Sequence, residues 1–294
     1  MSKIAVIIVT FNGENYIGKC LRSVLASTLD CSVFVVDNAS TDNTLKIVSE
    51  IEHIDITRNN ANLGFGKANN VGIKKALAEG FDYFFLLNQD TYIDKNAIEN
   101  LIKTMNETVR YGILSPMHLC GNEKDLDKNF EKYFESGKKT SSNVVDVLFV
   151  NAAAWLVSRK CFEKIGLFEP IFDHYGEDRN FCDRATYHGF DIGIVKNATI
   201  IHDRTIVRKF EKDVLQSKYL ILNTFININL SILQRRHLGL KQVFGLTKYF
   251  LKCYSKFQTV KLFFELLFFY GGYLINFTKT SAIILQSKAG KNGL

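Results

Sequence analysis

The residues best placed to do chemistry are Asn88, Gln89 and Asp90. They follow Tyr83-Phe84-Phe85-Leu86-Leu87, an apolar run that reads as a buried strand. A carboxylate at the C-terminal end of such a strand stands where open α/β sheets bind ligands. It can hold a hard divalent cation, and the cation can hold a diphosphate. The plainer alternative is a loop Asp that caps the next helix. This segment alone leaves both open.

Other elements must position whatever partners these residues have. The chain opens with Ala5-Val6-Ile7-Ile8-Val9-Thr10, then Phe11-Asn12-Gly13. No positive n-region or cleavage site accompanies the run, so a first strand is expected here and not a signal peptide. Ile17, Cys20, Leu21, Val24 and Leu25 recur at helical spacing. Val33 to Val36 predicts a second strand, ending at Asp37-Asn38-Ala39-Ser40-Thr41-Asp42. A weaker third strand covers 54–57, followed by Asn59 to Gly66 and a helix through Lys75. Strands alternating with helices predict a mostly parallel sheet with helices on its faces. Each strand end then delivers polar side chains: Thr10 and Asn12, Asp37 and Asn38, Asn62 and Gly64, Asn88 and Asp90. Four such ends on one sheet edge point to a polar ligand. Asn62-Leu63-Gly64-Phe65-Gly66 offers two glycines and backbone donors ahead of a helix, which suits phosphate or sugar oxygens. It lacks the third glycine of a dinucleotide fingerprint.

In this order, Val9 to Asn12, Val35 to Asp42, Asn62 to Gly66 and Leu87 to Asp90 resemble a family 2 glycosyltransferase of the GT-A fold. The similarity is greatest to bacterial rhamnosyltransferase-like enzymes of surface polysaccharide synthesis and covers roughly residues 3–205. The resemblance implies a catalytic domain over 1–205, with a nucleotide-sugar half at about 1–117 and an acceptor half at 118–205. It implies that Thr10, Phe11 and Asp37 hold the base and ribose, while Asn12, Asn38, Asn62, Gly64 and Asn69 belong to the donor site. Asn88-Gln89-Asp90 matches the family's Asp-X-Asp metal motif with Asn in the first place. Asn88 and Gln89 would then touch the donor, and Asp90 would be the main protein ligand of Mn²⁺ or Mg²⁺. Asp94 is expected to cap the helix that starts near Lys95.

Tyr175-Gly176-Glu177-Asp178 resembles the family's Glu-Asp signature, which implies Asp178 as catalytic base with Glu177 orienting the acceptor or assisting. Moving a sugar from a nucleotide diphosphate to a hydroxyl needs a neutralised leaving group and a proton acceptor. Two acids stabilised by a helix N-terminus are the alternative. A helix N-terminus lowers a carboxylate pKa, so a base at this place needs compensating burial. His202, after the apolar strand 198–201, matches a metal-completing His in relatives; a structural His is the alternative. His174 and Tyr175 are expected on the acceptor side. Trp155, in Asn151-Ala152-Ala153-Ala154-Trp155, is expected there too, with plain core as the alternative.

The six cysteines are scattered with no CxxC pair, which predicts reduced thiols and neither a disulfide framework nor a zinc site. Residues 121–143 are polar and charged and are expected as a surface excursion, able to wall the acceptor side. From Thr205 onward fourteen Lys and Arg face three acids, interleaved with dense aromatics. The aromatic uncharged run there, Leu266 to Thr278, is thirteen residues, short of a transmembrane span of about twenty. A helical region over 206–294 that docks on an anionic membrane surface is expected, with a packing layer or homo-oligomer interface as the alternative. Basic residues mixed with bulky aliphatics argue against nucleic acid.

These readings together predict an inverting, metal-dependent transferase at the inner face of the cell membrane. Its donor would be dTDP- or UDP-linked rhamnose or hexose, and its acceptor a surface glycan or polyprenyl-linked sugar. A non-catalytic scaffold with a degenerate transferase domain draws on Asn88, but Asp90, Glu177 and Asp178 argue against it. A nicotinamide-dependent oxidoreductase would need Gly-x-Gly-x-x-Gly where Thr10-Phe11-Asn12-Gly13 stands.

Overall fold

The computed structural model describes residues 2–204 and 208–293. The domain boundary expected at 205/206 lies outside the described residues. In chain order the first elements are β1 (Ile4–Thr10), α1 (Ile17–Leu25), β2 (Ser32–Asp37), α2 (Thr44–Ser49), β3 (Ile54–Arg58), α3 (Phe65–Ala78) and β4 (Tyr83–Asn88). Then come β5 (Thr91–Ile93), α4 (Ala97–Glu107), β6 (Tyr111–Cys120), α5 (Lys128–Glu135), β7 (Lys138–Lys139), β8 (Val144–Val147), β9 (Ala154–Ser158), α6 (Arg159–Ile165), α7 (Glu177–Tyr187) and β10 (Asp191–His202). Four helices follow: α8 (Phe210–Ile226), α9 (Ile232–Phe250), α10 (Lys256–Ile275) and α11 (Phe277–Ala289).

The strands form one sheet in the order β3-β2-β1-β4-β9-β6-β10-β8-β7, with β5 paired to β10. The continuous apolar runs are continuous because both faces are covered. In β1, Ala5 and Ile7 enter the core shared with α3, α6 and α7, whereas Ile4, Val6 and Ile8 enter the core shared with α1 and α4. In β4, Phe84 and Leu86 take the first side, and Phe85 and Leu87 the second.

β3, β2, β1 and β4 are parallel, as the alternation predicts. Beyond them the sheet is mixed. β9 inserts antiparallel between β4 and β6, and β8 and β5 run antiparallel to β10. Residues 121–143, expected as a surface excursion, contain α5 and β7, and Phe130 of α5 is fully buried.

The parallel register aligns the polar ends. Thr10 pairs with Asp37, Val9 with Asn88, and Asp37 with Arg58. β5, antiparallel to β10, sets Thr91 opposite His202 and so carries the turn after β4 onto that histidine.

The C-terminal helices pack on this layer. Both α9 and α10 begin with a Ser-x-x-Gln capping box, Ser231/Gln234 and Ser255/Gln258. Their core joins Ile221 and Phe225 of α8 to Val243, Leu262, Leu266 and Tyr270. Phe172 meets Tyr219, Leu222 and Ile226 of α8 and Ile283 of α11, which ties the helices to the sheet domain. Past α11, Leu167 N–H donates to the Asn292 carbonyl at 2.7 Å, and Asn292 Nδ2 donates to Glu169 Oε2 at 2.6 Å. The six cysteines are unpaired.

Candidate active site

At the sheet edge the expected donor residues divide into those that shape the loops and those left open. Asn38 Oδ1 accepts from Asn59 Nδ2 (2.9 Å) and Leu63 N–H (3.3 Å), and its Nδ2 donates to the Gly64 carbonyl (3.2 Å). Asn62 Oδ1 accepts from Gly64 N–H, and Asn12 Oδ1 from Thr41 N–H, both at 2.9 Å. Gln89 Oε1 accepts from Thr10 Oγ1 at 2.6 Å and from Phe11 N–H at 3.0 Å. These side chains therefore brace the β1, β2, β3 and β4 ends against one another. Asp37 Oδ2 accepts from Ser40 N–H, but its buried Oδ1 has no hydrogen-bond partner. The Phe11 ring is 42% exposed. Asn69 back-bonds through Nδ2 to the Phe65 carbonyl (3.0 Å), and its buried Oδ1 is also without a partner. An unpaired buried acceptor is costly, so such atoms mark places where a ligand restores the bond.

Gly64 has φ +79°, and a Cβ there would meet the Asp173 carbonyl oxygen at 1.6 Å. Asp173 also accepts from Lys67 Nζ at 2.8 Å. The start of α3 is thus pressed against the loop that leads into α7.

Asp90 and His202 come together. Asp90 Oδ1 lies 3.6 Å from His202 Nε2, too far for a hydrogen bond, and neither ring nitrogen of this buried histidine has a partner. A partly exposed carboxylate and an unpartnered imidazole at this separation fit a divalent cation. Among the described residues no group of three His, Cys, Asp or Glu could hold a metal, and a hard cation here would take further oxygen ligands such as substrate phosphates and water. Asn88 lines the neighbouring cleft. Asp94 accepts from Asn96 N–H at 2.9 Å, just ahead of α4.

Three residues behind His202 were not anticipated. Asp127 Oδ2 stands 3.8 Å from His202 Nδ1, caps α5 through Asn129 and Phe130 N–H, and pairs with Arg204 at 2.9 Å. His118 is buried, stacks on Phe130 at 4.3 Å and holds Ser115 Oγ at 3.0 Å. Burial, and then the nearby His202, hold its pKa well below the ordinary imidazole value. The available signal was an Asp three residues before an apolar Phe130, a helix N-cap pattern in a stretch otherwise polar.

The Tyr175–Asp178 turn is a strained one. Tyr175 has φ +73° and Gly176 φ +93°, and Asn223 Nδ2 of α8 donates to the Gly176 carbonyl at 2.9 Å. A non-glycine residue held at positive φ is the kind of strain that functional sites retain. Arg184, from the same motif, is a brace: it is buried and donates to the Ile165 and Leu167 carbonyls, both at 2.6 Å. Glu177 is 4% exposed, and its Oε2 has no partner. Burial, and then the charge of Asp178, raise its pKa. Asp178 Oδ1 accepts from Arg179 N–H at 2.7 Å, yet burial still raises its pKa. Desolvation thus outweighs the helix N-terminus, which is the compensation a base needs here.

The raised pKa of Glu177 sets a pH signature. A carboxyl that binds its proton more tightly when folded contributes stability below the unfolded value of about 4.3. That contribution is lost as pH rises through the folded value. Glu177→Gln removes the loss. In thermal unfolding without ligand, wild type and variant should match near pH 4, and the variant should become the more stable above neutral. Each unit of displacement is worth about 1.4 kcal/mol. Parallel profiles at every pH would refute the burial cost.

A cleft of about 720 Å³ opens beside this turn, between α5, the start of α7 and α8. It brings Asn88, His174, Tyr175, Glu177 and Asp178 together. The remaining donor-edge residues, Thr10 to Asn69, lie outside its lining. The His174 and Tyr175 rings lie 3.9 Å apart, tilted at 53°, and burial, then Lys212, lower the His174 pKa. Trp155 is a correction. It is fully buried, on a central strand covered on both faces, and packs on Phe168 and Phe181 at 6.4 and 6.0 Å. It belongs to the core and not to the acceptor side.

A family model described as Glycosyl transferase family 2 matches residues 5–166. The low-salt glycan biosynthesis hexosyltransferase Agl10 of Haloferax volcanii is 27% identical over 243 residues, covering 77% of this chain and 74% of that protein. The dTDP-rhamnosyl transferase RfbF of Shigella flexneri is 26% identical over 214 residues, covering 68% and 69%. The mannosyltransferase PcManGT from Pyrobaculum calidifontis, solved with GDP-Man and Mn²⁺, superposes with a TM-score of 0.64 at 14% identity, over 98% of this chain and 86% of that one. The last likeness shows a shared GT-A-like fold.

Proposed function

The chain belongs to glycosyl transferase family 2, and from that premise we propose an inverting, metal-dependent transfer of rhamnose or a hexose to a hydroxyl of a surface glycan or lipid-linked acceptor. The donor is a nucleotide sugar, dTDP- or UDP-linked in this reading. The observation that carries it is a cleft lined by two carboxyls with raised pKa, Glu177 and Asp178, next to strand ends that hold Asp90 and an unpartnered His202.

The acceptor hydroxyl gives its proton to Asp178 as its oxygen bonds to the anomeric carbon. Glu177 is the more deeply buried acid and orients that hydroxyl. Asp37 and the Phe11 ring hold the nucleotide, and Asn88 meets the donor from the floor of the cleft. Asp90 and His202 would hold a divalent cation, whose chemistry when bound is to stabilise the departing diphosphate. Attack from the side opposite that diphosphate inverts the anomeric centre. Incubation with a panel of nucleotide sugars, with and without Mn²⁺, tests the reading. Nucleotide diphosphate should be released from one donor in a metal-dependent way. No release from any donor, or release indifferent to metal, would overturn it.

We place the enzyme as a peripheral protein on the inner membrane face. Phe257 and Phe268 are 80% and 76% exposed, and Leu233, Phe244 and Phe264 are exposed with them. Lys248, Lys256 and Lys261 are exposed on the same helices, and Lys252 is exposed in the turn between α9 and α10. Among the described residues no single helix is long and apolar enough to cross a membrane. Changing these four lysines to Gln should weaken flotation with anionic vesicles, each cation contributing about 1 kcal/mol at most. The wild-type attraction should fade at high salt. Wild-type protein that ignores anionic vesicles would leave this face to a second subunit.

A further inference from the structure

Among the described residues, three buried side-chain oxygens of the cleft lining have no hydrogen-bond partner: Glu177 Oε2, Asn151 Oδ1 and Asn223 Oδ1. Glu177 has its use in the transfer described above. The two asparagines have none there. Asn223 is 4% exposed, and its amide is fixed from one side. Its Nδ2 donates to the Gly176 carbonyl at 2.9 Å, and turning the amide over would set oxygen against oxygen. Oδ1 is therefore the end left open. A buried acceptor without a donor costs free energy that a ligand can return.

Helix α8 makes Asn223 part of a wall. Asp213, Gln216, Leu220 and Asn223 recur at helical spacing, and all four line the cleft. The other faces of the helix are packed. Ile221 and Phe225 enter the core shared with α9 and α10, and Tyr219 and Leu222 meet Phe172. Asn151 reaches the same cleft from the stretch just before β9. Open acceptor oxygens call for donors. A phosphate dianion or an aliphatic chain brings none, whereas neighbouring sugar hydroxyls bring one each. The bond to the Gly176 carbonyl sets Asn223 beside the acid pair, so a hydroxyl taken there stands next to the one that Asp178 deprotonates.

Resting on the transfer reading, we infer that Asn223 and Asn151 set acceptor specificity: Asn223 Oδ1 accepts from the sugar hydroxyl next to the attacking one, and Asn151 Oδ1 from a further hydroxyl of the same sugar. Specificity is then a ratio of kcat/KM values, because a site built to bond a hydroxyl is left with an unpaired group when that hydroxyl is missing.

A panel of octyl hexosides and their monodeoxy analogues, offered with the best donor and Mn²⁺, tests this in wild type, Asn223→Ala and Asn151→Ala. In wild type, the best hexoside should exceed two of its deoxy analogues in kcat/KM by about tenfold or more. Asn223→Ala should bring one of those ratios close to one, and Asn151→Ala the other. The ratio is the useful readout, because a loosened Tyr175–Asp178 turn slows parent and analogue alike and cancels. Asn151 makes no bond to that turn, so its variant keeps the test open if Asn223→Ala folds poorly. Variants that slow every acceptor equally and preserve both ratios would overturn the inference and leave Asn223 as a brace alone. Wild-type protein that spends donor but is indifferent to every missing hydroxyl, or glycosylates none of the hexosides, would overturn it too. Wild-type protein that releases nucleotide diphosphate from no donor would mark failure of the transfer reading itself.

Discussion

Replacing Asp178 with Asn is expected to cut turnover by about 10²–10⁴-fold, the usual scale of general-base loss, with donor affinity nearly intact. The substitution keeps the shape of the side chain, and Oδ1 still accepts from Arg179 N–H. What disappears is the ability to take a proton. The raised pKa matters here, because a carboxylate held at its ordinary value would be a weaker base near neutrality. Steady-state kinetics on the best donor and acceptor, with donor affinity measured separately, reads both quantities. Full activity in Asp178→Asn with a dead Glu177→Gln would exchange the two roles. Full activity in both would end the mechanism.

Asp90→Ala should abolish metal-dependent binding of nucleotide diphosphate, whereas Asn88→Asp should preserve or strengthen it. Asp90 is the one charged member of Asn88-Gln89-Asp90, and His202 alone, 3.6 Å away, offers a single ring nitrogen. Gln89 cannot substitute, because its amide is engaged with Thr10 and Phe11. Asn88 lines the cleft, so a carboxylate there adds charge close to the donor. Titration calorimetry with Mn²⁺ present and absent makes the comparison. Unchanged binding in Asp90→Ala would remove the metal assignment.

The parts of this molecule that were legible in the sequence are those with local signatures. Buried-strand runs and polar strand ends located β1, β2 and β4 and the edge that joins Thr10, Asp37 and Asn88. The loops' internal bonding was not legible, because Asn38 and Gln89 have partners more than twenty residues away. Asp127 and Arg204 are separated by 77 positions, and nothing local announces that both stand behind His202. α5 buries Phe130 alone among its eight residues, so its stretch read as polar surface. Trp155 was ambiguous because small residues precede it and apolar ones follow. Only β9's position between β4 and β6 decides that it is core.

The bond from Asn292 to Glu169 spans 123 positions. It fastens the stretch that leads into the Tyr175–Asp178 turn, and α8, with Asn223 on the Gly176 carbonyl, fastens the turn itself. Synthesis proceeds at about 5–20 residues per second, so the ribosome needs roughly 6–25 s to travel from residue 169 to residue 292. Glu177, Asp178, β10 and Asn223 of α8 are all made during that interval, and the Asn292 bond can form only at its end. The stretch before the acid pair is therefore fastened last, after the strands it rests on are complete.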